Sequence, residues 1–262
     1  MQGGWKKVAV AGVMAPVLIL TGCGGGGGSG PQPTAGGPGS GNPPPAPPPP
    51  PPPATGNLYS FPAQESLSVA EVGQVIAQAA SQANAQGAAA TIAVVDRVGN
   101  VLGVFRMPGA PQLARVTDAP NAQNIDIQGL DVPSEAAAIA KAITGAYLSS
   151  GGNAFSTRTA SQIVQEHFPP APTTVGLESG PLFGVQFSQL PCSDLSTRAA
   201  DGMIGPQRSP LGLAADPGGF PLYKNGVVVG GVGVLADGAY SFDPNTIDID
   251  TDTDEVIALA GT

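Results

Sequence analysis

Few side chains in this sequence have the type and spacing that catalysis requires. His167 is the only histidine among 262 residues, so any Ser-His-Asp triad would have to use it. No Gly-x-Ser-x-Gly elbow occurs, and Gly218-Gly219 precedes a strand-like run, whereas a phosphate-binding loop precedes a helix. Cys192 could be a reactive thiol, but a buried structural cysteine is the commoner situation. An enzyme is therefore the less favoured interpretation.

Five aspartates between positions 243 and 254 supply the oxygen ligands that calcium prefers. An EF-hand loop that starts at Asp248 needs Gly at its sixth position and Glu at its twelfth, but the sequence has Thr253 and Leu259 there. The EF-hand is excluded, and the segment fits an acidic loop that caps the last helix. A calcium site at Asp248, Asp250 and Asp252 is the alternative metal hypothesis.

The composition argues against a nucleic-acid partner. The chain has a formal net charge of −9 with only 10 Lys and Arg residues, and these form no cluster that could neutralise phosphates. Many of its 38 Gly and 29 Pro residues lie before position 57. The remainder is long enough for one domain with a sizeable core, so we predict a single folded domain over residues 57–262.

The N-terminus has the pattern of a lipoprotein signal peptide. Lys6 and Lys7 precede an apolar run of 13 residues. That run is shorter than the roughly 20 residues that span a bilayer. It ends in Leu20-Thr21-Gly22-Cys23, which resembles a bacterial lipobox. We predict that residues 1–22 are removed and that Cys23 is lipidated.

Residues 23–56 have the composition of a disordered, Gly- and Pro-rich tether. The glycines at 24–28 make it flexible, and the proline run at 47–53 adopts an extended polyproline II helix. We favour a spacer over an SH3-type ligand because the chain is predicted to be exported. Gly24, not Asp, follows the lipidated cysteine. We therefore expect a lipid-anchored protein of the bacterial cell envelope, on the outer membrane and facing the periplasm or the cell surface.

A capping box predicts the first helix of the domain. Ser68 and Glu71 have the spacing of that motif, and Gly87 supplies a stop signal. The helix is rich in alanine, so it can approach a sheet closely. Its predicted apolar stripe contains Val69, Val72, Ile76, Ala79, Ala80 and Ala83.

Three further helices are predicted from capping residues and breakers. The second spans 134–149 with Ser134 as its cap, and the third spans 157–166 after Ser156. The last begins at Asp254. The predicted apolar face of the second helix contains Ile139, Ala142, Ile143, Ala146 and Tyr147.

Two β-hairpins are predicted, and a long loop separates the first from the second helix. Thr91–Asp96 and Val101–Arg106 form the first hairpin, and the apolar run of the former indicates a central strand covered on both faces. Lys224-Asn225-Gly226 predicts the tight turn of the second. Residues 108–133 are predicted as loop, and 211–215 as a weak strand. The strand after the second turn contains Gly230, Gly231 and Gly233, which make room for the first helix or for a flat ligand.

Four segments of the domain carry recognisable motifs. They are Thr91-Ile92-Ala93-Val94-Val95-Asp96 with Phe105-Arg106-Met107, Ala140-Lys141-Ala142 with Thr144, Asp216-Pro217-Gly218-Gly219-Phe220-Pro221-Leu222-Tyr223-Lys224-Asn225-Gly226, and Asp254-Glu255-Val256. In this order they resemble the GlcG/HbpS-like haem-binding family, which has a DUF336-type domain. The resemblance implies an α/β (α+β) fold, a profilin-like sandwich with an antiparallel sheet of about five strands and packed helices. It also implies homo-oligomers and haem or a related tetrapyrrole as ligand.

The resemblance makes several side chains candidates for holding haem. His167, Met107 and Tyr223 have iron-ligating types, as does Tyr147. Arg106 or Arg158 could bind a propionate. Each has an ordinary alternative, which is a helix-end position for the histidine, core packing for the methionine and tyrosines, and surface ion pairs for the arginines.

The sequence therefore predicts a membrane-anchored, exported, non-catalytic protein that binds haem or a related tetrapyrrole. The loop 107–133 is longer than the family pattern, and the insertion at about 155–210 is far longer. One alternative is a sensor or scaffold that binds a protein partner through this insertion. A further alternative, implied by the family alone, is an accessory enzyme for a small organic acid.

Overall fold

The computed structural model describes residues 62–118, 124, 127–164, 180, 182, 184–185, 206–241, 243 and 251–262. They belong to the unit Asn57–Thr262. Cys23 and His167 lie outside the described residues, as do the segments 1–56 and much of 155–210. The predictions for these segments stay predictions.

Four helices and seven strands are described. In chain order they are α1 (Val69–Ala85), β1 (Thr91–Asp96), β2 (Val101–Arg106), β3 (Leu113–Val116), β4 (Asp131–Pro133), α2 (Ser134–Leu148), α3 (Thr157–Val164), β5 (Gly219–Lys224), β6 (Val227–Leu235), β7 (Ala239–Tyr240) and α4 (Thr253–Ala260). None of these helices is both long enough and apolar enough to cross a membrane.

The larger sheet is antiparallel, with four strands in the order β2-β1-β6-β5. Successive residues of a strand point to opposite faces. Ile92 and Val94 of β1 pack with α1 and α4. Ala93 and Val95 pack with α2 on the other face. The predicted α/β sandwich, an antiparallel sheet with packed helices, is confirmed, and so is the burial of β1 on both faces.

In α1 the predicted capping box is confirmed, whereas the predicted apolar stripe is partly wrong. The Ser68 hydroxyl accepts from the Glu71 N–H, and the Glu71 carboxylate accepts from the Ser68 N–H at 2.7 Å. Val69 is 92% exposed, because the first helical residue lies beyond the sheet contact. Val75 is buried in its place, so the buried stripe that faces the sheet contains Val72, Val75, Ala79 and Ala83. The predicted Ile76 and Ala80 are partly buried and pack against the same core.

The hairpin β5–β6 is confirmed, and its turn has the backbone that the sequence requires. Asn225 and Gly226 have φ angles of 50° and 79°, in the left-handed region that Asn and Gly tolerate best. Beyond the turn, a Cβ on Gly231 would meet the Ala142 carbonyl oxygen of α2. A Cβ on Gly233 would meet the Ala138 carbonyl oxygen of the same helix. Close helix packing therefore explains these two glycines, but the helix is α2 and not α1.

Three local predictions are wrong. The predicted loop 108–133 contains β3 and β4, which form a second sheet with β7. No local sequence pattern indicates this pairing, because β7 is distant from β3 in the chain. Ser134 is buried inside α2 and does not cap it, because Pro133 holds the N-cap position. Residues 211–215 form a turn and an isolated bridge in place of a strand.

We predict that Gly233→Ala destabilises the domain by about 1–3 kcal/mol, because a new methyl group would force β6 away from α2. Gly73→Ala is the matched control. Gly73 lies in α1 with nothing within 4 Å of the place that a new methyl group would take, so alanine should stabilise the helix there by about 0.5–1 kcal/mol. Urea unfolding of both variants measures the two changes. Equal effects would contradict the packing explanation.

Candidate functional site

A lysine is completely buried at the centre of the domain. The ammonium group of Lys141, on α2, forms ion pairs with Asp216 and, at 2.7 Å, with Asp254. It also donates a hydrogen bond of 2.8 Å to the Val234 carbonyl oxygen in β6. An ammonium group has three N–H donors. Two of them have hydrogen-bond acceptors in Val234 and Asp254, and the Asp216 carboxylate adds a second charge contact.

The two carboxylates are held by backbone donors from other segments. Asp254 lies in the first turn of α4, and its Oδ1 accepts from the N–H groups of Ala236, at 2.7 Å, and Asp237, at 3.3 Å. Asp216 precedes β5, and its Oδ1 accepts from the Ser241 N–H at 2.8 Å. The cluster therefore joins α2, β6, α4 and the segment that enters β5.

Burial and charge act in opposite directions in this cluster. Burial by itself would lower the pKa of Lys141, but the carboxylates of Asp216 and Asp254 reverse that effect and raise it. Burial raises the pKa of Asp216 to about 7, although Lys141 opposes the shift. Burial also raises the pKa of Asp254. Two carboxylates and one ammonium would leave a net negative charge in a dry core, which favours protonation of one carboxylate. Asp216, with its pKa raised to about 7, is the group that most readily takes that proton.

An open cleft lies on the α2 side of the hairpin β1–β2. Its volume is about 370 Å³. Apolar side chains from β2 and α2 form one part of its wall, and polar groups from the β1–β2 turn and from 207–208 form another. The lining residues are Gly99, Asn100, Val101, Ile139, Ile143, Gln207, Arg208 and Pro210.

Hydrogen bonds fix the turn that forms the rim of this cleft. Asp96 accepts from the backbone N–H groups of Val98, at 2.9 Å, and Asn100, at 2.8 Å. Tyr147 of α2 places its hydroxyl 2.9 Å from the Val98 carbonyl oxygen. Gln207 donates its backbone N–H to the same oxygen at 2.8 Å. Burial raises the pKa of Tyr147 to about 12, so this hydroxyl stays a donor.

Arg208 supplies the positive charge of the cleft. Its side chain is exposed and lines the cleft together with the isoleucines of α2. No described acidic residue forms an ion pair with it. An apolar wall beside an available guanidinium suits a flat ligand that carries a carboxylate.

The sequence-predicted haem residues that the structure describes do not line this cleft. Met107 is buried, and its sulfur accepts from the Ala90 N–H at 3.4 Å. Tyr223 donates to the Ser150 carbonyl oxygen at 2.7 Å. Arg106 forms an ion pair of 3.2 Å with Glu135. A role of these residues in haem binding stays a prediction.

The remaining predicted site residues are engaged elsewhere or lie outside the described residues. Arg158 forms ion pairs with Asp243 and, at 3.0 Å, with Glu255. Asp252 caps α4, because its Oδ1 accepts from the Glu255 N–H at 2.8 Å. Asp248 and Asp250 are not described. Within the described ranges, no group of three or more His, Cys, Asp or Glu side chains could hold a metal ion.

The sequence alone does not connect Lys141, Asp216 and Asp254, although each lies in a family-like motif. The sequence feature that could have indicated this cluster is Lys141 itself, a charged residue within an alanine-rich apolar helix. Lysine is almost never fully buried unless it is paired. Burial of this helix therefore requires acidic partners from elsewhere in the chain.

Several solved structures match this chain, whereas no protein-family model and no curated protein does. Klebsiella pneumoniae protein ORFY, described as a DUF336 protein, is 20% identical with a TM-score of 0.42, over 78% of this chain and 94% of ORFY. A complex of PduOC with haem is 18% identical with a TM-score of 0.40, over 75% and 93%. A double mutant of Streptomyces reticuli HbpS is 19% identical with a TM-score of 0.34, over 80% and 96%.

These structural neighbours are proteins of the GlcG/HbpS-like family that the four sequence motifs resemble. At these identities and TM-scores, the likenesses assign neither a ligand nor an activity to this chain.

We predict that Lys141→Met destabilises the domain by about 3–5 kcal/mol, because the change leaves two buried carboxylates without their cation. Lys224→Met is the matched control, since Lys224 pairs with Glu71 on the surface and salt bridges there contribute little. Guanidinium unfolding curves of both variants test the prediction. A Lys141→Met curve that overlays the control would contradict it.

Proposed function

We propose that this chain is a lipid-anchored, exported protein whose folded domain binds haem or a related tetrapyrrole without catalysing a reaction. The observation that carries the binding proposal is the cleft beside α2. It combines an apolar wall, formed by Val101, Ile139 and Ile143, with the exposed guanidinium of Arg208. A tetrapyrrole has the two matching properties, a flat apolar ring and carboxylates at its edge.

The described lining residues fit the ring and its carboxylates but not the iron. Val101 and Ile139 offer aliphatic surface against which a ring can pack, whereas Ile143 is buried behind them. Arg208 can hold a carboxylate by two parallel hydrogen bonds. None of the described lining residues is a His, Cys, Met or Tyr, the types that ligate haem iron. We therefore propose recognition through ring and carboxylate, and His167 remains the proposed iron ligand.

The lipid anchor is a proposal supported by the sequence alone. Lys6, Lys7 and the apolar run before Cys23 have the pattern of an exported lipoprotein. The Gly- and Pro-rich residues 23–56 would then hold the domain away from the membrane. In this arrangement the protein would present a bound tetrapyrrole in the cell envelope.

The edge of the larger sheet supports a second proposal, that the domain forms homo-oligomers. The strand β2 lies at this edge. Val101, Leu102, Val104 and Phe105 of that strand are each at least 40% exposed. An apolar edge strand is a template for pairing with another chain.

Sedimentation velocity on a Cys23→Ser chain tests the oligomer proposal. The chain should form a species larger than a monomer, and Val104→Lys should dissociate it because a charge would then lie in the paired edge. Leu259→Lys is the control, since Leu259 is an exposed apolar residue on α4 and away from this edge. A monomeric Cys23→Ser chain would contradict the proposal.

Titration of the purified chain with haem and with metal-free protoporphyrin tests the binding proposal. Both ligands should saturate at micromolar concentration, because the cleft contacts the ring and not the metal. Arg208→Gln should weaken both by about tenfold or more, since a hydrogen bond to a charged group contributes about 1.5–3 kcal/mol. Arg115→Gln is the control, because Arg115 pairs with Asp118 and Asp131 on the surface.

Each possible result of this titration tests a different part of the proposal. The absence of saturable binding would overturn the proposed function. Binding that Arg208→Gln leaves unchanged would remove the cleft as its site. His167→Ala should alter only the spectrum of the haem complex, and an unchanged spectrum would remove His167 as the iron ligand.

A further inference from the structure

The buried cluster brings an amine against a carboxyl group in a site that water does not reach. The side chain of Lys141 is 0% exposed and that of Asp216 is 8% exposed. Their Nζ and Oδ2 atoms are in direct contact. A second carboxylate, Asp254, lies 2.7 Å from the same nitrogen. Neither the tetrapyrrole cleft nor any other part of the proposed function uses these groups.

The two carboxylates are not equivalent. Asp254 accepts two backbone N–H groups on Oδ1 and the lysine on Oδ2. These contacts oppose the rise in pKa that burial causes, and they place Oδ2 where it can accept a proton from the lysine nitrogen. Asp216 accepts one backbone N–H, from Ser241, on Oδ1. Burial raises the pKa of Asp216 to about 7, so its neutral acid form is accessible. A neutral carboxyl group is the electrophile that an amine can attack.

We propose that Lys141 and Asp216 condense into an intramolecular isopeptide bond, with Asp254 as the group that moves the proton. The carboxylates raise the pKa of Lys141, so the ammonium is its resting form, and a proton must first move from it to the carboxylate of Asp216 to give a neutral amine and a neutral acid. The lysine Nζ then attacks Cγ of Asp216, and Asp254 takes the proton from the attacking nitrogen. It returns that proton to the departing Oδ2 hydroxyl, so a C–N bond forms, a C–O bond breaks and one water leaves.

The surrounding backbone supports this step. The Ser241 N–H lies 2.8 Å from Oδ1 of Asp216, where negative charge develops when the amine adds to the carbon. Holding both reactants in contact replaces a bimolecular encounter by an intramolecular one, which lowers the barrier because folding has already brought the two groups together. Exclusion of water protects the amide product from hydrolysis. The reaction needs no cofactor or oxidant, so it could proceed after export.

The bond would join α2 to the segment that enters β5. The two residues are 75 positions apart (216 − 141), so the cross-link closes a long loop in the unfolded chain. The chain has only two cysteines, Cys23 and Cys192, and the first is the proposed lipidation site. An isopeptide bond would supply the covalent constraint that many exported proteins obtain from disulfides.

Mass spectrometry of the full-length chain tests the proposal. We expect the mass to be lower than that of the uncross-linked chain by one water molecule, relative to a Lys141→Arg variant that carries the same processing. Arginine keeps the positive charge but is not deprotonated in proteins, so it cannot form the amide. Trypsin should fail to cleave after residue 141 and should release peptide 116–158 joined to peptide 209–224.

The outcomes separate the proposal from its alternatives. Wild-type chain with the full, uncondensed mass would overturn it, and this measurement does not depend on any variant folding. A cross-link from 116–158 to 225–262, the peptide that contains Asp254, would overturn the assignment of Asp216 as electrophile. Asp254→Ala should prevent the loss of water, and complete cross-linking in that variant would overturn the role of Asp254. The mass of the chain does not depend on whether the domain binds a porphyrin, so this proposal and the proposed function can fail separately.

Discussion

The buried contact of Lys141 with Asp216 and Asp254 is the constraint on which the rest of this structure depends. Lys141 can occupy the core only because Asp216 and Asp254 accompany it, since an unpaired buried charge is strongly destabilising. The three residues come from α2, from the segment before β5 and from α4. Their contact therefore fixes where one helix, one hairpin and the last helix meet, and the glycines of β6 allow α2 to approach closely enough for that contact to form.

The same helix contributes to the proposed binding cleft. Ile139 and Ile143 of α2 form part of its wall, and Tyr147 ties the end of the helix to the β1–β2 turn. Arg97 adds hydrogen bonds to the last carbonyl groups of α2, at 2.8 Å to Ala146 and 3.3 Å to Ser149. The position of the cleft wall therefore follows from the packing of α2. The cluster at Lys141 holds the fold, and the cleft is the part of the domain that a ligand can reach.

Local signals in the sequence predict most of the elements but not how they meet. The capping box at Ser68 and the turn at Asn225 act through neighbouring residues, so both could be identified without a structure. The strands β3 and β4 depend on pairing with each other and with distant β7, and only the fold reveals them. Lys141 and Asp254 are 113 positions apart, a separation at which no spacing rule operates. Arg208 could not be identified for the same reason, because its cleft partners lie on β2 and α2.

A double-mutant cycle between Lys141 and Asp216 tests most directly whether the buried cluster holds the fold together. Each single change, Lys141→Met and Asp216→Leu, disrupts the cluster, whereas the double variant removes both members of one pair. The free energies of unfolding of the four chains give the coupling between the two residues. We predict that the double variant is more stable than the sum of the single losses, by about 1–3 kcal/mol. Additive losses, within about 0.5 kcal/mol, would show that the two side chains act independently and would contradict the central role of the cluster.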